Sequence, residues 1–185
     1  MFKTGFVTSL AVTFLLIFTF VSAADNQQPE KSSPAESDQQ PSQAAIKRTR
    51  ETVQMLDDIY KQTIVLITDK YVNSEADFPA GSAAVELFKR VGKTGFHQVR
   101  IIDATGEPYE PENVAKSPFE KEGIQKLKSG KSYYDKVVIK EGQAYLQAMT
   151  PVPVVMKKCV MCHPHYKDVK AGQPIGAISY ELPVK

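Results

Sequence analysis

Tyr133-Tyr134-Asp135-Lys136-Val137-Val138-Ile139, Lys140-Glu141-Gly142 and Gln143-Ala144-Tyr145-Leu146-Gln147-Ala148-Met149-Thr150 follow one another without a break. The outer runs are rich in Tyr and Val, side chains that suit a pleated, half-buried surface. The short connection ending in glycine turns one run back on the other, so the stretch predicts a β-hairpin over 133–150. Near the C-terminus, Ile175-Gly176-Ala177-Ile178-Ser179-Tyr180-Glu181-Leu182 predicts a last strand. Upstream, Phe96-His97-Gln98-Val99-Arg100-Ile101-Ile102 alternates as a strand, and Asp103-Ala104-Thr105-Gly106 supplies turn chemistry after it.

Helical periods occupy the rest. Ile46, Val53, Leu56, Tyr60, Ile64, Ile67 and Tyr71 recur at intervals of three, four and seven, predicting a long amphipathic helix over 44–72. It lies across its own sheet or pairs with a second copy as a homodimer seam. A second helix over 81–91 turns Ala84, Val85, Leu87 and Phe88 to the core, with Gly92 at its end. Ser117-Pro118-Phe119-Glu120 is a capping box with proline at the first helical position, opening a helix that runs to 127 and closes at Gly130. The order is helix, helix, strand, helix, hairpin, loop, strand. It predicts an α+β domain over 44–185: an antiparallel sheet flanked by helices and preceded by a long N-terminal helix.

The loop before the last strand holds the chemistry: Lys158-Cys159-Val160-Met161-Cys162-His163-Pro164. The chain has only two cysteines and three histidines, and this segment takes both cysteines and one histidine. Cys-x-x-Cys-His is the attachment pattern of a c-type haem. Each thiol, Cys159 and Cys162, adds to a vinyl group, and His163 reaches the iron as the proximal axial ligand. Two rivals use similar residues. A thioredoxin-like pair needs a strand before it and a βαβ unit around it, whereas Pro153, Lys157 and Lys158 precede this one. A zinc site from Cys159, Cys162, His163 and His165 would crowd a tetrahedron. Arg100, Lys157 and Lys158 are candidate partners for haem propionates. For the distal side, His97, Tyr71 and Met55 are the candidates, with Met149 and Met156 as further sulfur donors and a five-coordinate iron as the alternative.

Bulk composition sets limits. Charged side chains balance at 23 basic and 21 acidic, and no segment concentrates Lys and Arg, so nucleic acid is not an expected partner. Hydrophobic residues make up 42%, enough for one core. Residues 1–24 read as a secretory signal: Lys3, an apolar run over 6–20, and Val21-Ser22-Ala23 before Ala24. The alternative is an uncleaved membrane anchor. Either places the domain in the periplasm or beyond, where haem c is attached. The Gln-, Pro- and Ser-rich stretch over 25–43 reads as a disordered linker.

From 64 to 183 the chain resembles a family of exported single-haem proteins with a PAS-like domain. The resemblance rests on Gly95-Phe96-His97-Gln98-Val99-Arg100, Ala104-Thr105-Gly106-Glu107-Pro108, Thr150-Pro151-Val152-Pro153-Val154, the Lys158–Pro164 segment and Gly176-Ala177-Ile178-Ser179. It implies a PAS-like sheet cradling one covalent haem, used for redox or ligand sensing. One ligation described in the family pairs the motif histidine with a cysteine from the N-terminal helical region. This chain has no third cysteine, and Tyr71 and Ser74 stand in that region. The expected function is a periplasmic haem sensor read by a redox or signalling partner, with an electron-transfer cytochrome as the alternative. A peroxidase-like enzyme would need His97 as its distal acid–base.

Overall fold

The computed structural model describes residues 40–185. The expected signal over 1–24, and the expected linker as far as residue 39, lie outside the described residues. The order of elements is α1 (Gln43–Tyr71), α2 (Ala80–Gly92), β1 (Gln98–Asp103), α3 (Pro118–Lys128), β2 (Tyr134–Lys140), β3 (Gln143–Pro153), α4 (Lys158–Cys162), a 3₁₀ turn (Pro164–Asp168) and β4 (Pro174–Pro183). The strands form a four-stranded sheet in the order β1-β4-β3-β2, with every ladder antiparallel. The fold is α+β, as the pattern of elements predicts.

The register shows how the hairpin closes. Lys140 pairs with Gln143, so Glu141 and Gly142 alone make the turn. Both have positive φ, 50° and 77°, the conformation that matches the right-handed twist of the strands it joins. Alternation then sorts the side chains. Leu146, Ala148, Ile178 and Tyr180 point to one face, where Ala45, Ile46, Val53 and Tyr60 of α1 and Ala84 and Phe88 of α2 cover them. Ile102, Met149 and Ala177 point to the other, under Phe119 and Leu127 of α3. The sheet therefore separates two apolar clusters, and its two central strands contribute to both.

Two sequence expectations shift. Strand β3 runs past Thr150 through Pro151 to Pro153, although proline donates no ladder bond. Its pairing with β2 ends at Met149, so β3 is an edge from there on, a position that accepts proline. The expected stripe of α1 holds at Ile46, Val53 and Tyr60, but Tyr71 is 73% exposed while Thr68 and Val72 turn inward.

A polar cluster holds the middle of α1 to the sheet. Asp57 Oδ1 accepts from Thr150 Oγ1 at 2.5 Å and Tyr180 Oη at 2.9 Å, while its Oδ2 accepts from Lys61 Nζ at 2.9 Å. An unpartnered carboxylate at this interface would be costly, whereas three donors satisfy it. Beside it, Tyr60 meets Phe88 edge-on with ring centres 5.1 Å apart.

Gly176 is a point of close contact between β4 and β1. A β-carbon there would lie 2.9 Å from the Ile102 carbonyl oxygen, which the ladder holds in place. Gly176→Ala is expected to cost ~1–3 kcal/mol, the range for overpacking. Urea unfolding would read this as a lower midpoint with an unchanged slope.

Candidate functional site

The Cys-x-x-Cys-His residues span a helical turn and its abrupt end. Helix α4 runs from Lys158 to Cys162, placing Cys159 and Cys162 three residues apart, the spacing that sets side chains on one side of a turn. Pro164 disfavours helical geometry at the residue before it, and His163 leaves the helix with φ −130° and ψ 74°. The chain then re-enters a 3₁₀ turn at Pro164. Both thiols are free and half-buried.

Lys158 fastens this turn to the rest of the fold. Its ammonium donates to the carbonyls of Thr68 at 3.3 Å, Asp69 at 2.8 Å and Val72 at 2.6 Å, at the end of α1. Those carbonyls have no acceptor role inside the helix, and a cation also favours the negative end of the helix dipole. The segment between β3 and β4 is thereby pinned over the last turns of α1.

Beneath the motif lies a largely apolar cavity of about 190 Å³. Ile64, Val65 and Thr68 of α1 form one wall, Ile101, Val152 and Ile175 of the sheet another, and Val155, Met156, Cys159, Cys162, His163 and Tyr166 a third. A second cavity of about 100 Å³ adjoins it and is more polar, with Asp103, Tyr109, Glu110 and Asn113 in its lining. His163 and Tyr166 border both.

The imidazole of His163 is held by aromatic packing. Tyr166 stacks on it with ring centres 4.5 Å apart and planes 14° apart, and Tyr109 meets it edge-on at 5.5 Å. Burial pushes the His163 pKa down, neighbouring His165 pushes in the same direction, and the Asp103 charge opposes them. The balance favours the neutral ring, the form that ligates a metal. Tyr166 is pushed up to about 12, first by burial and then by the Asp103 and Cys159 charges, so its phenol keeps its proton.

The structure brings Cys159, Cys162, His163 and Lys158 together at one cavity. The other candidates lie elsewhere. Arg100 donates to the carbonyls of Glu112 at 2.9 Å and Val114 at 2.8 Å and pairs with Glu120, on the face of the sheet that α3 covers. His97 shares a 2.9 Å hydrogen bond with Tyr60, and burial lowers its pKa. Neither His97, Met55 nor Tyr71 lines the two cavities, and Met55 and Tyr71 are exposed. Met149 is fully buried in the α3 cluster. Besides the motif, the residues with polar or sulfur groups that line the larger cavity are Lys61, Thr68, Met156, Lys158 and Tyr166. Lys61 has no sequence signal beyond its helical register, whereas Tyr166 lies one turn beyond His163.

The rival arrangements lack their frames. Among the described residues the sheet is antiparallel throughout, so no βαβ unit surrounds the thiols there. Among the described residues, no three or more His, Cys, Asp and Glu side chains gather as a metal-ion cage.

Lys158→Met should remove the three-carbonyl clamp while keeping the length of the stem. Hydrogen bonds to a charged group contribute ~1.5–3 kcal/mol, and partial exposure here lowers the expected loss to about 1 kcal/mol. Hydrogen exchange should accelerate in the last turn of α1 and in α4, with the β3–β4 ladder unaffected.

No match is found among curated proteins. A family model described as Tll0287-like matches residues 33–183, a span that takes in every described strand and the whole Cys-x-x-Cys-His segment. The chain belongs to the Tll0287-like family, known for a small haem-binding, cytochrome-like domain.

Proposed function

We propose that this chain is an exported c-type haem protein whose PAS-like domain serves as a redox or small-ligand sensor. The observation that carries the reading is the convergence of Cys159, Cys162 and His163 on one apolar cavity between α1 and the sheet. The donor set fits one covalently held haem c: two thiols for the thioether bonds and an imidazole biased toward its neutral form. His165 Nε2, buried beside His163 without a hydrogen-bond partner, is a polar atom that the folded chain alone leaves unsatisfied. The cavity is smaller than the ~300–1,000 Å³ of pockets that enclose a whole ligand, which fits a group held partly at the surface.

When bound, haem supplies a one-electron iron couple and a place for an added ligand. The chain's own residues do the rest. Cys159 and Cys162 tether, His163 ligates, Tyr166 and Tyr109 hold the imidazole plane, and Lys158 couples the site to α1. Ile64, Val65, Val152 and Ile175 exclude water. Lys61 links the cavity to Asp57, and through it to Thr150 and Tyr180, so a change of charge at the site has a polar route into the sheet. A redox or signalling protein is the proposed reader. The exposed Met55, Ile59 and Leu66 along α1 support a homodimer seam with a second copy.

Electron transfer is the second reading, and Met156 favours it. Met156 lines the same cavity, and its thioether would be available to the iron of a bound haem, as a carrier needs.

The test is the full chain made with the haem c maturation machinery in a bacterial periplasm. Haem should survive acid–acetone extraction from the wild type and be lost from a C159A/C162A double variant. Wild-type protein without covalent haem would refute the reading. Carbon monoxide should change the reduced spectrum of a ligand sensor. An unchanged six-coordinate spectrum that becomes CO-sensitive in Met156→Ala would assign Met156 as the ligand and favour the carrier.

A further inference from the structure

We propose that Asp103 is the outer carboxylate partner of His163, setting the orientation of its imidazole and the ease with which the iron it ligates is reduced. The inference rests on the haem reading above. It starts from the smaller cavity, which both residues border and which Asp103 lines without lining the thiols' cavity. A histidine bound to a metal through one nitrogen donates its other N–H to a carboxylate, carbonyl or water, and that outer partner raises the basicity of the ligand. Tyr166 stacks on a ring face of His163 and Tyr109 meets the ring in a T-shaped contact, while an N–H donor bond runs in the ring plane, from its edge. The cavity, about 100 Å³ against ~30 Å³ for a water in the liquid, has the size for a short water link, and Asp103 and Asn113 are polar groups in its otherwise largely apolar lining.

Asp103 is held ready for this role. Thr105 Oγ1 donates to its Oδ1 at 2.7 Å and the Gly106 N–H to its Oδ2 at 2.6 Å, while its own N–H donates to the Asn113 carbonyl at 2.7 Å. A carboxylate offers about four acceptor sites, so two donors leave capacity for a third. Glu110 also borders the cavity, but on an exposed loop residue whose side chain is not anchored in this way. The competing explanation for Asp103 is turn formation, since a side-chain bond to the backbone three residues on is what an Asp at the start of a turn makes. Asparagine separates the two roles, because it accepts the same turn bond without the charge.

The reaction probed is the addition of one electron, from dithionite through soluble mediators, to iron(III) to give iron(II). Removing a nearby negative charge favours iron(II). The experiment is a potentiometric titration of the full-length haem-loaded protein. Poised where the wild type is half reduced, Asp103→Asn should show a reduced-to-oxidised ratio ~10-fold higher, equivalent to 59 mV for one electron. Asp103→Glu should return most of that change. Glu107→Gln, an equal loss of charge on the same turn, should stay within about twofold. Where the ferrous iron is five-coordinate, the iron–histidine stretch seen by resonance Raman should fall in Asp103→Asn; where it is six-coordinate, the potential alone decides. In the wild type the stretch should lie at the imidazolate-like end of its range, a check that needs no variant. A ratio within twofold for Asp103→Asn, or a wild-type stretch at the neutral-imidazole end, would leave Asp103 a turn residue only and overturn the proposal. Wild-type protein that holds no covalent haem would instead overturn the haem reading on which the proposal stands.

Discussion

The β3–β4 ladder is the constraint on which the molecule depends. From Tyr145 opposite Pro183 to Pro153 opposite Pro174, two central strands zip together and close residues 154–173 into one excursion. Both thiols and the imidazole of the motif lie on that excursion. The ladder fixes where the excursion leaves and returns, and the bulge at Val152–Pro153 sets the angle at which it departs. Leu146, Ala148, Ile178 and Tyr180 bury one face of these strands, while Met149 and Ala177 bury the other. A strand packed on both faces cannot slip by one residue without exchanging its two cores. The position of the thiols is therefore specified by apolar packing many residues away from them.

What sequence patterns reveal and what they hide divides along locality. The hairpin turn, the capping box at Ser117 and Glu120, and the apolar stripe at Ile46, Val53 and Tyr60 are signals written in neighbouring residues, and each appears where expected. The Cys-x-x-Cys-His segment is likewise local. Features decided by distant partners are not legible in this way. Nothing near Arg100 says that two loop carbonyls and Glu120 will claim its guanidinium. Nothing near Lys158 says that three carbonyls of α1 will surround its ammonium. Strand β3 outruns its expected end because β2 stops first, a fact of register rather than propensity.

The site shows the same division. Its two thiols and imidazole could be named from five consecutive residues, but its walls come from α1, β1, β3 and β4. Lys61 and Met156 are ordinary residues in sequence, and their relevance comes from lining the cavity that the thiols line. The two cavities also differ in lining: both are largely apolar, but Asp103, Glu110 and Asn113 border only the smaller one, and the thiols border only the larger. His163 and Tyr166 border both, so one imidazole meets the groups of two differently lined cavities.

The Lys158 clamp also bears on the order of assembly. The β3–β4 ladder closes over residues 154–173, whereas Lys158 meets Thr68 across 90 positions of sequence. Closing the longer loop costs ~1 kcal/mol more in chain entropy, and contacts of greater sequence separation form more slowly. The folding sequence this favours has the sheet presenting the thiols on a finished hairpin while the end of α1 is still undocked. The cavity then lacks its α1 wall at first, and docking of α1 becomes the step that completes it.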